Sequence, residues 1–181
     1  MDSAAPKADA GNIVIRAAEP ADAEGVSALI GRVGTFEGLL QTPDAPVASR
    51  LEFHQKVEPH GCRLVAVAGQ EIVGSAGLHV MGPGLRRMHV RSLGIGIAPE
   101  WQGRGIGRKL LARLVDWADN WAHVLRIELH VHADNDRAMA LYRSMDFVEE
   151  GRHKAYSLKG GRYVDGISMA RLHPSPPSLV S

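Results

Sequence analysis

The stretch Glu100–Leu111, EWQGRGIGRKLL, sets Gly103, Gly105 and Gly107 at alternate positions directly ahead of an apolar helical pattern. Glycine costs a helix interior about 1 kcal/mol relative to alanine, so such a start needs a reason. Glycine admits positive φ and lets a ligand approach the backbone closely. The unpaired N–H groups of the first helical turn, at the positive end of the helix dipole, then make a site for an anion. Arg104, Arg108 and Lys109 add positive charge around it. Several converging N–H groups suit a pyrophosphate better than a carboxylate. The competing reading is that the glycines serve only close packing of turn on strand.

Two familiar phosphate sites fit poorly. A P-loop needs four residues between its first glycine and Gly-Lys-Ser/Thr, and Gly107-Arg108-Lys109-Leu110 does not supply that pattern. A dinucleotide site needs G-x-G-x-x-G, whereas the spacing here is G-x-G-x-G; Glu128 lies at about the right distance but near the start of its strand. Of the nine histidines, His130 and His132 share a strand face. Two ligands without a nearby third make a poor metal site, and no metal is expected.

These residues must be positioned by a particular order of elements. Asn12–Ala18 reads as a first strand, and Pro20 opens a helix carrying Ala23, Val26, Leu29 and Ile30. A turn-rich connection, Phe36–Pro46, precedes a second helix containing Leu51, Phe53 and Val57. Arg63–Val80 reads as a hairpin around Gly69 and Gln70, and His89–Pro99 as a third strand of this group. Ile106, Leu110, Leu114, Trp117 and Trp121 recur at spacings of four, four, three and four, a helix with one buried face. In Arg126–His132, Ile127, Leu129 and Val131 alternate as in a half-buried strand. Asn135–Phe147 reads as a helix capped by Asp134 or Asn135, followed by strands near Val148–Ser157 and Tyr163–Arg171 joined at Gly160 and Gly161. The predicted class is mixed α/β in a single domain over residues 12–172, with polar tails at 1–11 and 173–181.

Bulk properties narrow the partners. The chain has 181 residues, enough for one domain with a substantial core. Its 21 Lys and Arg against 20 Asp and Glu leave a net charge of +1, without the basic excess of a nucleic-acid binder. No apolar run approaches the roughly 20 residues that span a bilayer, and the N-terminus lacks the pattern of a signal peptide. The lone Cys62 forms no internal disulfide. A cytoplasmic protein binding neither nucleic acid nor membrane is expected.

Gln102-Gly103-Arg104-Gly105-Ile106-Gly107 resembles the Q/R-x-x-G-x-G/A signature of the GNAT superfamily of acyl-CoA-dependent N-acetyltransferases. Its context strengthens the resemblance: the strand ending GIGIAP, the strand RIELHV, and N-x-x-A-x-x-L-Y-x-x-x-x-F from Asn135 to Phe147. Within the superfamily the chain is most similar to bacterial L-amino-acid N-acyltransferases, through an early L-Q-x-P loop, Asp119–Val131, and G-x-Y-V-D at Gly161–Asp165.

The resemblance implies a splayed, mostly antiparallel sheet flanked by about four helices, with acetyl-CoA between two parting strands. The backbone near Ile95 and Ile97 would pair with the pantetheine arm. Gln102, Gly103, Arg104, Gly105, Ile106, Gly107 and Arg108 would hold the pyrophosphate, and Asn135 the cofactor arm. A neutral amine attacks the thioester, so its ammonium form must first lose a proton. Tyr142 matches the family's acid for the departing thiolate; an amphipathic core tyrosine is the alternative. Glu128 is the first candidate for the base, against a solvated strand residue or a water path. Two positions depart from the family: Ser92 stands where similar enzymes often carry an acid, and Asp146 where glycine is usual.

The acceptor site is expected to use Leu39, Leu40 and Phe36 as an apolar wall, with Gln41, Thr42 and Tyr163 as polar contacts. The expected substrate is the α-amine of a small L-amino acid, and the family's habit implies a homodimer. Alternatives are another amine (antibiotic, polyamine or protein N-terminus), a silent acyl-CoA-binding module, or a dinucleotide oxidoreductase.

Overall fold

Two apolar runs turn back on each other at Gly69, whose φ of 61° is left-handed, and build the centre of the molecule. The computed structural model describes residues 13–42, 44–82 and 84–177. The expected tail at 1–11, the end of the tail at 178–181 and Pro43 of the early loop lie outside these described residues.

In chain order the strands are β1 (Val14–Ala17), β2 (Cys62–Ala68), β3 (Glu71–Val80), β4 (Val90–Ile97), β5 (Arg126–His132), β6 (Val148–Lys159) and β7 (Arg162–Leu172). The α-helices are α1 (Ala23–Ile30), α2 (Val47–Gln55), α3 (Ile106–Asn120) and α4 (Asp136–Arg143). The strands form one sheet in the order β1-β2-β3-β4-β5-β7-β6. Every pairing is antiparallel except β4 with β5. That parallel pair is short: Val90↔Arg126, Arg91↔Ile127 and Ser92↔Glu128, after which the strands part. The mixed α/β, splayed and mostly antiparallel sheet is the one expected. Among the described residues, no helix is long and apolar enough to cross a membrane.

The helix after the glycines packs on β2, β3 and β4. Leu110, Leu111 and Leu114 are fully buried, each contributing about 1.5–3 kcal/mol and offsetting the glycine start. Gly74 makes the approach possible, since a Cβ there would stand 2.8 Å from Ile97 and 3.3 Å from Leu110.

Three local expectations are corrected. Trp121 is 79% exposed: α3 ends at Asn120, and Trp121, with φ −129°, leaves the helical face. Val57 lies beyond α2, and no residue of α2 is buried; this helix packs beside α1 and stays outside the core. The last helix stops at Arg143, because Asp146 turns left-handed at φ 65° and redirects the chain into β6. Aspartate tolerates that conformation better than most residues, as its replacement of glycine required.

Candidate active site

Where β4 leaves β5, the backbone of Leu93–Ile97 has no strand neighbour on that side. The opening belongs to one cavity of about 690 Å³. Its floor is nearly bare. Gly77 of β3 stands opposite Gly94 of β4, and Ser75 opposite Gly96, on one face of the sheet.

The glycine stretch closes one end. Gly103 and Gly105 take φ of 75° and 77°, and Gly105 is the N-cap of α3. Gly107 sits in the first turn, where a Cβ would meet Leu141 at 3.3 Å and Ile95 at 3.8 Å. The N-terminus of α3 therefore faces the cavity with its N–H groups and dipole uncovered by side chains. Arg108 and Arg137 also line it; Arg108 donates to the Ser144 hydroxyl at 2.9 Å, and Arg137 to Gln102 Oε1. Gln102 is fixed in turn by donating Nε2–H to the Ile97 carbonyl at 2.8 Å. An apolar slot between parted strands, ending in bare amides and two guanidiniums, fits a thiol-ester arm bearing a pyrophosphate.

Tyr142 and Asn135 come from α4. Asn135 caps this helix, its Oδ1 accepting the Ala138 N–H at 3.1 Å, and it also lines the cavity. Tyr142 is buried with its ring 5.8 Å from Phe147, and burial pushes its phenol up to about 12. It lines the same cavity and stays protonated through the physiological range.

Sequence reasoning placed five residues at the site that the fold does not bring to the cavity wall: Glu128, Arg104, Thr42, Tyr163 and Phe36. Glu128 is held by Arg87 (Nη2 to Oε1, 2.7 Å) and by Arg126 (Nε to Oε2, 2.9 Å), in a chain that continues to Glu150. Arg104 lies over the Trp101 ring, its guanidinium carbon 4.6 Å from the centroid. Thr42 is exposed, and Tyr163 is 74% exposed beside the Gly160–Gly161 turn. Ile95, Ile97, Gln102, Gly103, Gly105, Ile106, Gly107, Arg108, Asn135, Leu40, Gln41 and Tyr142 do line the cavity. Phe36 does not, while Leu39 does.

Several lining residues were not foreseen. Tyr156 of β6 stacks on His130 at 5.3 Å, in the place expected of Tyr163. Over the opposite end lie Arg50, Phe53 and His54 of α2, with Arg63 of β2 and His79 of β3. Burial, with Arg63 second, lowers His54 to about 4, so it is neutral at pH 7. Arg50 donates to the Ser27 hydroxyl and the Ala45 carbonyl, and Arg63 to carbonyls at the end of α2. Neither arginine pairs with a carboxylate among the described residues. Also among the described residues, no aspartate or glutamate lines the cavity, and no cluster of ligands suits a metal.

Residues 34–147 match the acetyltransferase (GNAT) family. The chain belongs to it. It is 34% identical over 160 residues to the L-amino acid N-acetyltransferase AaaT of Escherichia coli (strain K12), covering 88% of this chain and 98% of that one. It is also 34% identical over 167 residues to the N-alpha-acetyltransferase RimI of Mycobacterium tuberculosis, covering 91% and 95%. The fold is similar to that of a Salmonella typhimurium acetyltransferase solved with its cofactor acetyl-CoA, at a TM-score of 0.79 and 19% identity over 94% of this chain and 99% of that one. As a GNAT enzyme the protein is an acyl-CoA-dependent N-acetyltransferase. The gap between β4 and β5 and the glycine-led start of α3 are the structural features that suit this chemistry.

Proposed function

We propose that the protein transfers the acetyl group of acetyl-CoA to the α-amine of a small L-amino acid. Binding of acetyl-CoA falls to Ile95 and Ile97 of β4, to the Gly103–Arg108 turn, to Asn135 and to Arg137. The thioester supplies an activated acyl carbon and a leaving thiolate. Amine attack forms the amide C–N bond, the C–S bond breaks, and Tyr142 gives its phenolic proton to the departing sulfur. Burial keeps Tyr142 protonated at neutral pH, so the proton is in place when the thiolate departs.

The acceptor is read from charge. The single observation that carries it is the wall around α2: Arg50 and Arg63 without carboxylate partners, and no acidic lining residue among those described. A polycation would meet repulsion there, whereas a carboxylate would find two guanidiniums. Leu39, Leu40 and Phe53 give the adjoining surface an apolar character suited to an aliphatic side chain. The test compares L-leucine with its decarboxylated counterpart, 3-methylbutylamine, by thiol release from acetyl-CoA. Preference for leucine of at least about tenfold in kcat/KM supports the reading, since a hydrogen-bonded charge pair is worth about 1.5–3 kcal/mol. Equal use of both amines would refute the carboxylate site.

A further inference from the structure

His79, the residue before the end of β3, lies directly opposite Ser92, the last residue of β4 that pairs with β5. Its Nδ1 lies 2.6 Å from Glu58 Oε2, and Glu58 Oε1 accepts the Val80 N–H at 2.7 Å. Both carboxylate oxygens are thus engaged, and an ionised carboxylate only accepts hydrogen bonds. The proton of the neutral ring therefore sits on Nδ1, leaving the Nε2 lone pair free.

The glycines show where that lone pair sits. A Cβ on Gly77 would stand 2.7 Å from Nε2, and one on Gly94 3.9 Å from it. Nε2 therefore lies over bare backbone at the point where β4 loses its partner, inside the cavity wall. Gly61 plays a matching part for the carboxylate, since a Cβ there would come within 2.8 Å of Glu58 Cδ. Three glycines thus leave room for one imidazole–carboxylate pair. Both partners are only about a quarter exposed.

We infer that His79 accepts the proton of the attacking amine, with Glu58 as the positioning residue that fixes its tautomer. This rests on reading the cavity as an acetyl-transfer site. The acceptor ammonium gives one proton to His79 Nε2, and the nitrogen lone pair so freed attacks the thioester carbon. The thiolate leaves with the proton of Tyr142, and the second N–H proton, lost to water after the C–N bond forms, is replaced on the Tyr142 phenolate from water. The imidazolium is stabilised by Glu58 and returns its proton to water after product leaves. Imidazole is the side chain that most often serves as a general base. The groups facing the ring are Glu58 from the α2–β2 connection, His54 and Phe53 from α2, and Arg63 from β2; Arg91 of β4 stands near Glu58.

The test measures kcat and KM for L-leucine and acetyl-CoA across pH 6–10 in the full-length wild type, His79→Gln, Glu58→Gln and Glu58→Asp. Wild type should show a limb of kcat that rises with pH. His79→Gln should lose about 100-fold in kcat with the limb displaced upward, and KM for acetyl-CoA within about twofold. Glu58→Gln should lose less and shift the limb downward, and Glu58→Asp should recover part of the rate. Acetyl-CoA thermal shift verifies that each variant is folded; should His79→Gln not fold, the Glu58 pair carries the same test. An unchanged limb and kcat within about threefold in the folded variants would overturn the dyad while leaving the acetyltransferase reading intact. A wild type that releases no thiol with any amine would overturn both.

Discussion

Ser92 and Glu128 form the last pair that β4 and β5 make, and beyond them the two parallel strands separate. The same Ser92 faces His79 across the other edge of β4. One register position therefore divides the paired half of the sheet from the open half, and sets an imidazole beside the opening. Glu128 itself stays with the paired half, tied to Arg87 and Arg126.

Tyr142→Phe should lower kcat by about 100-fold while changing acetyl-CoA affinity less than about twofold, because only the acid is removed. Steady-state kinetics beside isothermal titration separates the two effects. Burial raises this phenol from 10.0 to about 12, so the unfolded chain loses the proton first. Stability contributed by the protonated phenol is present below pH 10 and is lost as pH rises through about 12. Denaturant unfolding should show that alkaline loss in wild type and a weaker one in Tyr142→Phe.

Glycine substitutions should separate conformation from space. Gly105 has nothing within 4 Å of its would-be Cβ, yet its φ is 77°. Gly105→Ala should therefore cost about 1–2 kcal/mol of stability, read by denaturant unfolding. Gly107→Val, with a helical backbone but a neighbour at 3.3 Å, should instead weaken acetyl-CoA binding at least about tenfold.

Arg50→Ala should raise KM for L-leucine at least about tenfold and leave KM for 3-methylbutylamine nearly unchanged. Loss of activity on both amines in equal proportion would assign Arg50 to packing against Ser27 and Ala45 instead.

Asp165 organises the bulge of β6. It accepts from Arg152 at 2.8 Å, from Lys154 at 3.1 Å and from the N–H of Ala155 at 3.0 Å, where Ala155 has a φ of 51°. These contacts, Arg152 first, hold its carboxyl down at about 2. The depressed pKa gives stability that is present above about pH 4 and is lost as pH falls toward 2. Asp165→Asn should flatten that acid limb in a thermal-unfolding series, and should loosen the bulge that brings Tyr156 against His130.

How far the site could be read in advance depended on sequence distance. The glycine cradle is a local pattern whose spacing announces an anion site, while Asn135 and Tyr142 lie in a local motif that carries the resemblance to the family. Alternation in Arg126–His132 likewise gave the buried side, borne out by Ile127, Leu129 and Val131. The Glu58–His79 pair joins residues 21 apart through the turn between α2 and β2, and no periodicity signals it. Trp121 failed for a related reason: a helical period says which face is apolar but not where the helix ends. Tyr163 failed because its strand bears a bulged partner, and the bulge delivers Tyr156 instead.

Thiol release from acetyl-CoA by the purified full chain, with L-amino acids set beside spermidine and a peptide amine, tests the central claim most directly. The account predicts rapid release with a small aliphatic L-amino acid, the N-acetylamino acid as product by mass spectrometry, and little with spermidine. Release with spermidine but not with L-amino acids would contradict it, as would thiol release with no acetylated amine.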